Sequence, residues 1–155
     1  MSLDEEQRSF LLRQRVLRMA TADASGQPYL VPICFALDGD TLYSPIDEKP
    51  KQASAGGLRR LRNLAENPRV SLLADHYQED WSGLAYLLLL GRARVLVDGP
   101  LHRRALSLLR ARYAQYLRMD LESRPVISIA IERVTSWGRL DPRADEESIV
   151  PPSSS

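Results

Sequence analysis

Apolar and polar positions alternate in short runs along most of this chain, and this pattern predicts strands rather than long helices. An amphipathic stretch at 4–15 reads as an opening helix. Turn-forming residues then separate three apolar runs, which predict strands at 16–22, 29–37 and 41–47. Asp38-Gly39-Asp40 is a tight hairpin signal, and Pro32 inside the second strand indicates an edge strand or a bulge.

In the second half of the chain, segments whose apolar residues recur with helical spacing alternate with segments that have the spacing of strands. The pattern predicts helices at 58–66 and 100–119, and strands at 69–77, 84–98 (with a bend at Gly91) and 125–137. Six strands and three helices, mostly in meander order, indicate a mainly β fold: an antiparallel six-stranded barrel with peripheral helices (α+β).

The domain organisation follows from length and composition. A chain of 155 residues fits one domain, over 1–139, with the helix at 4–15 as an N-terminal cover. Residues 140–155 are charged and then rich in Pro and Ser, which predicts a flexible tail. Strands this apolar need cover on both faces, so a dimer of two identical chains is expected.

Charge, the start of the sequence and the cysteine content bear on binding partners, location and thiol chemistry. The net charge of +1 offers no global field for nucleic acid or a membrane surface, and the apolar run at 84–90 is too short to span a bilayer. The start is acidic and has no secretory pattern, so the cytoplasm is the expected location. Cys34 is the single cysteine, and its apolar surroundings favour a buried, inert thiol over a nucleophile.

Positive charge is concentrated in one segment. The chain's only two lysines are Lys49 and Lys51, and they precede a helix start that carries Arg59, Arg60 and Arg62. Free N–H groups at a helix N-terminus and planar guanidinium groups suit an anion such as a phosphate. A solvated basic helix face explains the same pattern about equally well.

The sequence gives only weak support for a metal site, a glycine-rich phosphate loop or a nucleophilic catalytic group. His76 and His102 lack metal-ligand spacing to each other or to the cysteine, so no metal site is expected. There is no phosphate-binding glycine motif and no marked nucleophile with a base, so the catalytic residues are unknown. Trp81 lies among polar loop residues and suits stacking on a planar ring, although core or dimer packing is the somewhat stronger interpretation.

Three ordered motifs resemble the split-barrel flavin-binding proteins related to pyridoxamine 5′-phosphate oxidase. They are ADASGQPYLVP (22–32), LDGDTLY (37–43) and NPRVSLL (67–73). Within that family, DEKPK (47–51), the basic helix, Asp-His-Tyr at 75–77 and the Asp-Trp pair at 80–81 look most like the deazaflavin branch, whose members use coenzyme F420. The likeness covers 16–139 and implies an FMN-binding type of split barrel.

The resemblance implies a homodimer with two cofactor sites at the interface. It places the cofactor ring beside the second and third strands and the phosphate at the basic helix, with Trp81 also at the site. The implied ring contacts are Pro32, Tyr43, Ser44 and Pro45, and the implied phosphate contacts are Lys49, Lys51, Arg59, Arg60 and Asn63.

The resemblance implies an oxidoreductase that transfers hydride from reduced F420 to an unsaturated small molecule. An FMN-dependent, pyridoxamine 5′-phosphate oxidase-like enzyme is the first alternative. The oxidase itself carries an Arg-x-x-x-x-Lys strand, which the matching stretch 30–35 lacks, and this counts against pyridoxamine phosphate oxidation. A non-catalytic flavin- or haem-binding protein is the second alternative, and a nucleic-acid-binding barrel is the least favoured.

Overall fold

Strands of three to thirteen residues, joined by turns, form one curled antiparallel sheet in the computed structural model, which describes residues 2–47 and 56–141. The helices are α1 (Glu5–Arg13), α2 (Gly56–Glu66) and α3 (Gly99–Arg112). The strands are β1 (Leu17–Ala22), β2 (Pro28–Ile33), β3 (Ala36–Asp38), β4 (Thr41–Pro45), β5 (Arg69–His76), β6 (Ala85–Leu96) and β7 (Val126–Gly138).

The strand order shows that the sheet rolls up on itself. The order is β2-β1-β5-β6-β7-β4-β3, so β2 and β3 lie at opposite edges of the sheet. Only Cys34 and Phe35 separate these two strands along the chain. Because two residues span well under 10 Å, the edges must meet, and the sheet closes into a barrel split along this seam.

The six-strand prediction is therefore corrected to seven strands. The run at 29–37 is not one strand: β2 ends at Ile33 and β3 begins at Ala36. The sequence pattern missed the break because the residues on both sides of it are apolar, so no turn residue marks the change of sheet edge. The mainly β class, the three helices and the Asp38-Gly39-Asp40 hairpin are confirmed, with Gly39 at φ +61° in the turn.

Helix α1 covers one end of the barrel. Asp4 begins it as the N-cap and forms a capping box with Gln7: each side chain accepts a hydrogen bond from the other's backbone N–H. Phe10 and Leu11 face inward and join the main core between the curled strands. Leu140, expected in the tail, is also buried in this core, whereas 142–155 lie outside the described residues.

Helix α3 packs on the outside of the barrel and makes a second core. Its buried residues Ala105, Leu106 and Leu109 meet Ala36 and Tyr43 from the closing strands. The predicted helix at 100–119 is shorter in the structure, because a 3-10 turn at Ala114–Arg118 follows α3. That turn brings the buried Tyr116 against the barrel seam, close to Cys34.

The bend predicted at Gly91 is confirmed as a register shift between Leu90 and Gly91 in the pairing of β6 with β7. A Cβ atom at position 91 would lie 2.6 Å from the carbonyl oxygen of Ala130, so only glycine fits there without movement of the strand. This close approach allows the long β6–β7 ladder to continue through the curl of the sheet.

We expect Gly91→Ala to lower the free energy of unfolding by about 1–3 kcal/mol, because the added methyl group forces two paired strands apart. The measurement is urea denaturation followed by circular dichroism. Gly39→Asn is the matched control: position 39 has φ +61° and no atom within 4 Å of an added Cβ, so asparagine should cost less than about 0.5 kcal/mol there. Equal midpoints for Gly91→Ala and the wild type would contradict the packing described.

Candidate functional site

A cleft of about 210 Å³ opens along the seam of the barrel. On one side it is lined by Pro32, Ile33 and Cys34 at the end of β2, and on the other by Ser44, Pro45 and Asp47 at the end of β4. Arg60 of α2 completes the lining. The cleft therefore lies where the two sheet edges diverge, next to the basic helix.

Two features of the chain keep this seam open. Strand β3 pairs with β4 only as far as Tyr43, so Ser44 and Pro45 have no strand on that side. Proline has no N–H, so neither Pro32 nor Pro45 can donate a backbone hydrogen bond across the gap. The polar groups and carbonyls at the seam are thus left for a ligand or for water.

Ser44 is the most informative side chain in the cleft. The residue is 0% exposed, yet among the described residues its Oγ is the one buried side-chain polar atom without a hydrogen-bond partner. A buried hydroxyl without a partner costs roughly 1–3 kcal/mol, so native proteins rarely leave one unpaired. Because Ser44 lines the cleft, a ligand bound there is the natural partner for this hydroxyl.

The residues of α2 divide between the cleft and the scaffold. Arg60 is 4% exposed and places a positive side chain at the cleft. Arg59 is exposed and lies over the ring of Tyr29, 5.8 Å from its centroid. The buried side chain of Asn63 donates to Thr21 Oγ1 at 3.0 Å, a bond that fixes α2 on β1.

A row of polar groups runs behind the cleft. Tyr116 Oη donates to Asp47 Oδ2 at 2.6 Å, and Cys34 packs against the same buried cluster as Tyr116. Burial, with the hydrogen bond to Asp47 as a further cause, raises the pKa of Tyr116 far above its usual range. Arg124 donates to the backbone carbonyl of Asp47 at 2.7 Å and holds this corner in place.

The structure brings together only part of the site predicted from the sequence. Pro32, Ser44, Pro45 and Arg60 share the cleft, whereas Arg59 and Asn63 lie elsewhere on α2. Tyr43 is buried in the second core under α3, because neighbouring strand residues point to opposite faces. Lys49 and Lys51 lie outside the described residues.

Trp81 is far from this cleft within one chain. It is 70% exposed and lines a separate hollow with Trp137. Ser44 pairs with Ile127 near the start of β7, and Trp137 lies ten residues further along that strand. At about 3.3 Å per residue, Trp137 lies roughly 30 Å along β7 from Ile127, the strand partner of Ser44. Core packing of Trp81 is therefore wrong for the single chain, and its role at a ligand site stays a prediction.

Sequence reasoning missed three residues of the site. The sequence predicts Cys34 as a buried strand residue, but it is half-buried, lies between β2 and β3 and lines the cleft. Asp47 and Tyr116 are 69 positions apart, and no local pattern links them. The signal that was available is the paired prolines Pro32 and Pro45, which mark the unpaired edges of the seam.

No group of three or more metal-ligating side chains occurs in the part of the chain that the structure describes. Over the same residues, every helix is too short or too polar to cross a bilayer.

A curled seven-stranded sheet, split along one seam with a polar cleft in it, defines the chain as a split-barrel protein. A sequence model of the pyridoxamine 5′-phosphate oxidase family matches residues 3–138, and the chain belongs to this family. The match spans all seven strands and the cleft. It gives the family and the fold, and the motifs at 22–32, 37–43 and 67–73 fall within it.

This chain is similar to three proteins of different described roles. A 5a,11a-dehydrotetracycline/5a,11a-dehydrooxytetracycline reductase of Streptomyces rimosus subsp. rimosus is 29% identical over 105 residues, which cover 67% of this chain and 71% of the relative. A FAD-binding protein of Mesorhizobium loti is 27% identical, with a TM-score of 0.62 over 88% of this chain and 95% of that one. The haem storage protein HutZ of Vibrio cholerae is 18% identical, with a TM-score of 0.66 over 89% and 95%, and this likeness shows the fold alone.

Two buried hydroxyl groups should respond in opposite ways to deletion in the ligand-free protein. Ser44→Ala removes an atom without a partner, so we expect the free energy of unfolding to stay equal or to rise by up to about 1 kcal/mol. Thr21→Val removes the acceptor of Asn63 Nδ2 and should cost about 1–3 kcal/mol, because the amide is then left unpaired in a buried position. Urea denaturation of both variants measures the difference. A large loss of stability in Ser44→Ala would show that its hydroxyl has a structural partner.

Proposed function

We propose that this protein is an F420-dependent reductase that acts on an unsaturated small molecule, with the cofactor bound in the seam cleft. The observation that carries the proposal is the unpaired, fully buried Ser44 hydroxyl in a cleft that also holds the buried cation Arg60. A site of this kind suits a ligand with a polar ring edge at one end and an anionic group at the other.

The chemistry of the side chains present fits a deazaflavin. Its ring has carbonyl and N–H groups along one edge, and Ser44 Oγ can donate to or accept from such an edge. Its tail carries a phosphate and carboxylates, which suit Arg60 and the basic residues of the segment 49–62. Pro32 and Pro45 offer apolar walls on either side of the cleft for the flat ring.

Functional support for the proposal comes from the similarity to the reductase of Streptomyces rimosus. The 29% identity to it extends over two-thirds of this chain, and its name describes reduction of a dehydro compound. An unsaturated acceptor of that general type is therefore the substrate class that we propose here. A reductase requires no nucleophile or metal from the protein, in keeping with a cleft that contains neither a hydrolytic triad nor a metal cluster among its described residues.

The protein's contribution to the reaction is binding, orientation and exclusion of water. When bound, the cofactor supplies the hydride chemistry. Ser44 fixes the ring edge with a hydrogen bond, and Arg60 holds the anionic end. The buried floor of the cleft, formed by Ile33, Ser44 and Pro45, keeps water away from the reacting face.

FMN is the second candidate cofactor, and the similarity to the FAD-binding protein of Mesorhizobium loti favours it. Because the rings of FMN and F420 are alike in shape, we expect the protein's preference between the two cofactors to depend on the length and charge of their tails. Haem binding has less support from the side chains. His102 is buried, and its Nε2 donates to the carbonyl of Arg124 at 2.8 Å, so that nitrogen has no lone pair for iron.

We further propose a homodimer built on the outer face of the sheet. Residues paired across five strands form one row of Leu30, Ala20, Ser71, Leu90 and Arg133, which is apolar at three of its five positions. On the same face Tyr86 stacks on Trp137, with ring centroids 5.8 Å apart. Leu30 is 66% exposed and Trp137 is 53% exposed. These exposed apolar side chains suit contact with a second copy of the chain, and only a second chain can bring Trp81 to the cleft.

The dimer proposal predicts that Leu90→Glu yields a monomer, because a buried, unpaired carboxylate opposes association. Size-exclusion chromatography with light scattering gives the mass directly. Leu117→Glu is the matched control: Leu117 is equally apolar and 67% exposed, but it lies in the 3-10 turn after α3 and not on this face. A wild-type monomer, or a dimer that Leu90→Glu leaves intact, would contradict this interface.

The cofactor proposal predicts that F420 binds at least tenfold more tightly than FMN in a fluorescence titration. Arg60→Gln should weaken F420 binding about tenfold, the effect of one charge-assisted hydrogen bond. Arg62→Gln, an exposed position on the same helix, should change it less than twofold. Lys51→Glu tests the basic segment outside the described residues and should also weaken binding.

Tighter binding of FMN would favour the FMN-dependent alternative. Unchanged F420 affinity in Arg60→Gln, in a protein that remains folded by circular dichroism, would refute the assignment of the phosphate site. Absence of binding for both cofactors would refute the proposed function altogether.

A further inference from the structure

A second hollow, of about 600 Å³, opens on the outer face of the sheet and shares no lining residue with the seam cleft. Small side chains line part of it, namely those of Ala20, Ala22 and Ser71. Three arginines from the neighbouring strands β5, β6 and β7 line the rest, and they give this arginine hollow its name: Arg69, Arg92 and Arg133. Little bulk beside concentrated positive charge leaves room for an anion over the sheet.

The strand register brings two of these arginines face to face. Arg69 of β5 pairs directly with Arg92 of β6, and both residues are exposed. Directly paired residues of antiparallel strands have Cβ atoms about 4.5–5.5 Å apart, and like charges in such a pair repel each other. The two long side chains therefore reach the same space above the sheet, where one anion can accept hydrogen bonds from both.

A β-bulge brings the third arginine to the same face. The register shift between Leu90 and Gly91 leaves Glu132 as the extra residue in β7. In a regular strand, Glu132 and Arg133 would point to opposite faces, but both are exposed and both line the hollow. The bulge thus places Arg133 on the side of the sheet that carries the other two arginines.

The charges of the hollow do not balance. Glu132 is the one carboxylate among the described residues that line it, and it lies 3.9 Å from Arg92 in an ion pair whose side chains are both more than half exposed. Over residues 2–47 and 56–141, the guanidinium groups of Arg69 and Arg133 form neither an ion pair nor a hydrogen bond. Three arginines against one glutamate leave two positive charges uncompensated.

We propose that the arginine hollow binds a phosphate group, with Arg69, Arg92 and Arg133 as its ligands. A phosphate dianion would neutralise both uncompensated charges, and its oxygen atoms accept hydrogen bonds from more than one planar guanidinium group at a time. The site is separate from the proposed cofactor site and does not depend on which cofactor the seam cleft holds. Without a ligand, paired arginines on neighbouring strands only cost stability.

Calorimetric titration with inorganic phosphate tests the site. We expect the wild type to bind phosphate, and Arg69→Gln to weaken this binding at least about fivefold, since a charge-assisted hydrogen bond is lost. Arg94→Gln is the matched control, because Arg94 follows Arg92 by two positions on β6 and is exposed but does not line the hollow. It should change the affinity less than about twofold.

The seam cleft also holds a cation, so Arg60→Gln shows which of the two sites the phosphate occupies. Phosphate binding that persists in Arg60→Gln and is lost in Arg69→Gln assigns the phosphate to the arginine hollow. The reverse pattern would overturn the proposal, as would absence of binding or equal losses in Arg69→Gln and Arg94→Gln. Arg69 lies outside the row on which the homodimer is proposed, so this comparison does not depend on the dimer.

A thermal measurement tests the same site without binding heats. In dilute chloride buffer, Arg69→Gln should raise the melting temperature by about 1–2 °C, because it removes the repulsion between paired arginines. Phosphate should stabilise the wild type more than sodium chloride of equal ionic strength does, and Arg69→Gln should lose at least half of this excess. If sodium chloride reproduces the whole effect of phosphate, the arginines are only solvated surface charges and the site is refuted.

Phenyl phosphate distinguishes two sources of the phosphate group. Tighter binding of phenyl phosphate than of inorganic phosphate, lost in Arg69→Gln, assigns the site to an organic phosphate whose body packs over the small side chains. Equal binding, lost in the same variant, assigns it to the free ion. None of these titrations contains F420 or FMN, so a failure here is distinguishable from a failure of the proposed function.

Discussion

The structure depends on one covalent constraint, the two-residue link of Cys34 and Phe35 between strands at opposite edges of the sheet. A seven-stranded antiparallel sheet can stay open, but a link this short cannot cross an open sheet. The sheet must therefore curl until its first and last strands meet. Phe35 is fully buried in the main core, so the closure is also held by apolar burial. The position of the seam, and of the cleft that opens along it, depends on this link.

Closure of the barrel also explains why the site lies where it does. Edges that meet at one point and diverge beyond it leave a wedge, and here the wedge is bounded by Pro32 on one side and Pro45 on the other. Neither residue can extend the ladder, so backbone and side-chain polar groups are retained without strand partners. The hydroxyl of Ser44 shows this most clearly, because it is buried and unpaired, whereas the other buried side-chain polar atoms of residues 2–47 and 56–141, such as the amide of Asn63, have partners. This unsatisfied hydroxyl at a cavity is the observation on which the proposed ligand site rests.

The sequence allows prediction of what local signals determine. The hairpin at Asp38-Gly39-Asp40 and the bend at Gly91 both depend on neighbouring residues, and the structure has both. The break at Cys34 could not be read, because it is imposed by pairing with distant strands and no turn residue marks it. Tyr43 and Ser44 are both expected at the site from the resemblance, but strand alternation puts them on opposite faces, so only one of them can line the cleft.

Most of the site was predictable only through family resemblance, although the concentration of positive charge at the second helix also pointed to Arg60. That resemblance led to Pro32, Ser44, Pro45 and Arg60, which the structure brings into one cleft. It did not lead to Cys34, or to the hydrogen bond between Tyr116 and Asp47, which forms only when the 3-10 turn after α3 folds over the seam. Residues that meet only through tertiary packing have no characteristic spacing in the sequence. Their contacts are visible only in the folded chain.

The most direct test of this account is a crystal structure of the protein with bound F420. The account predicts that an oxygen or nitrogen atom of the ring lies within about 3 Å of Ser44 Oγ, with the anionic end of the cofactor directed towards Arg60. A cofactor bound away from the seam, with the Ser44 hydroxyl still unpaired, would contradict it.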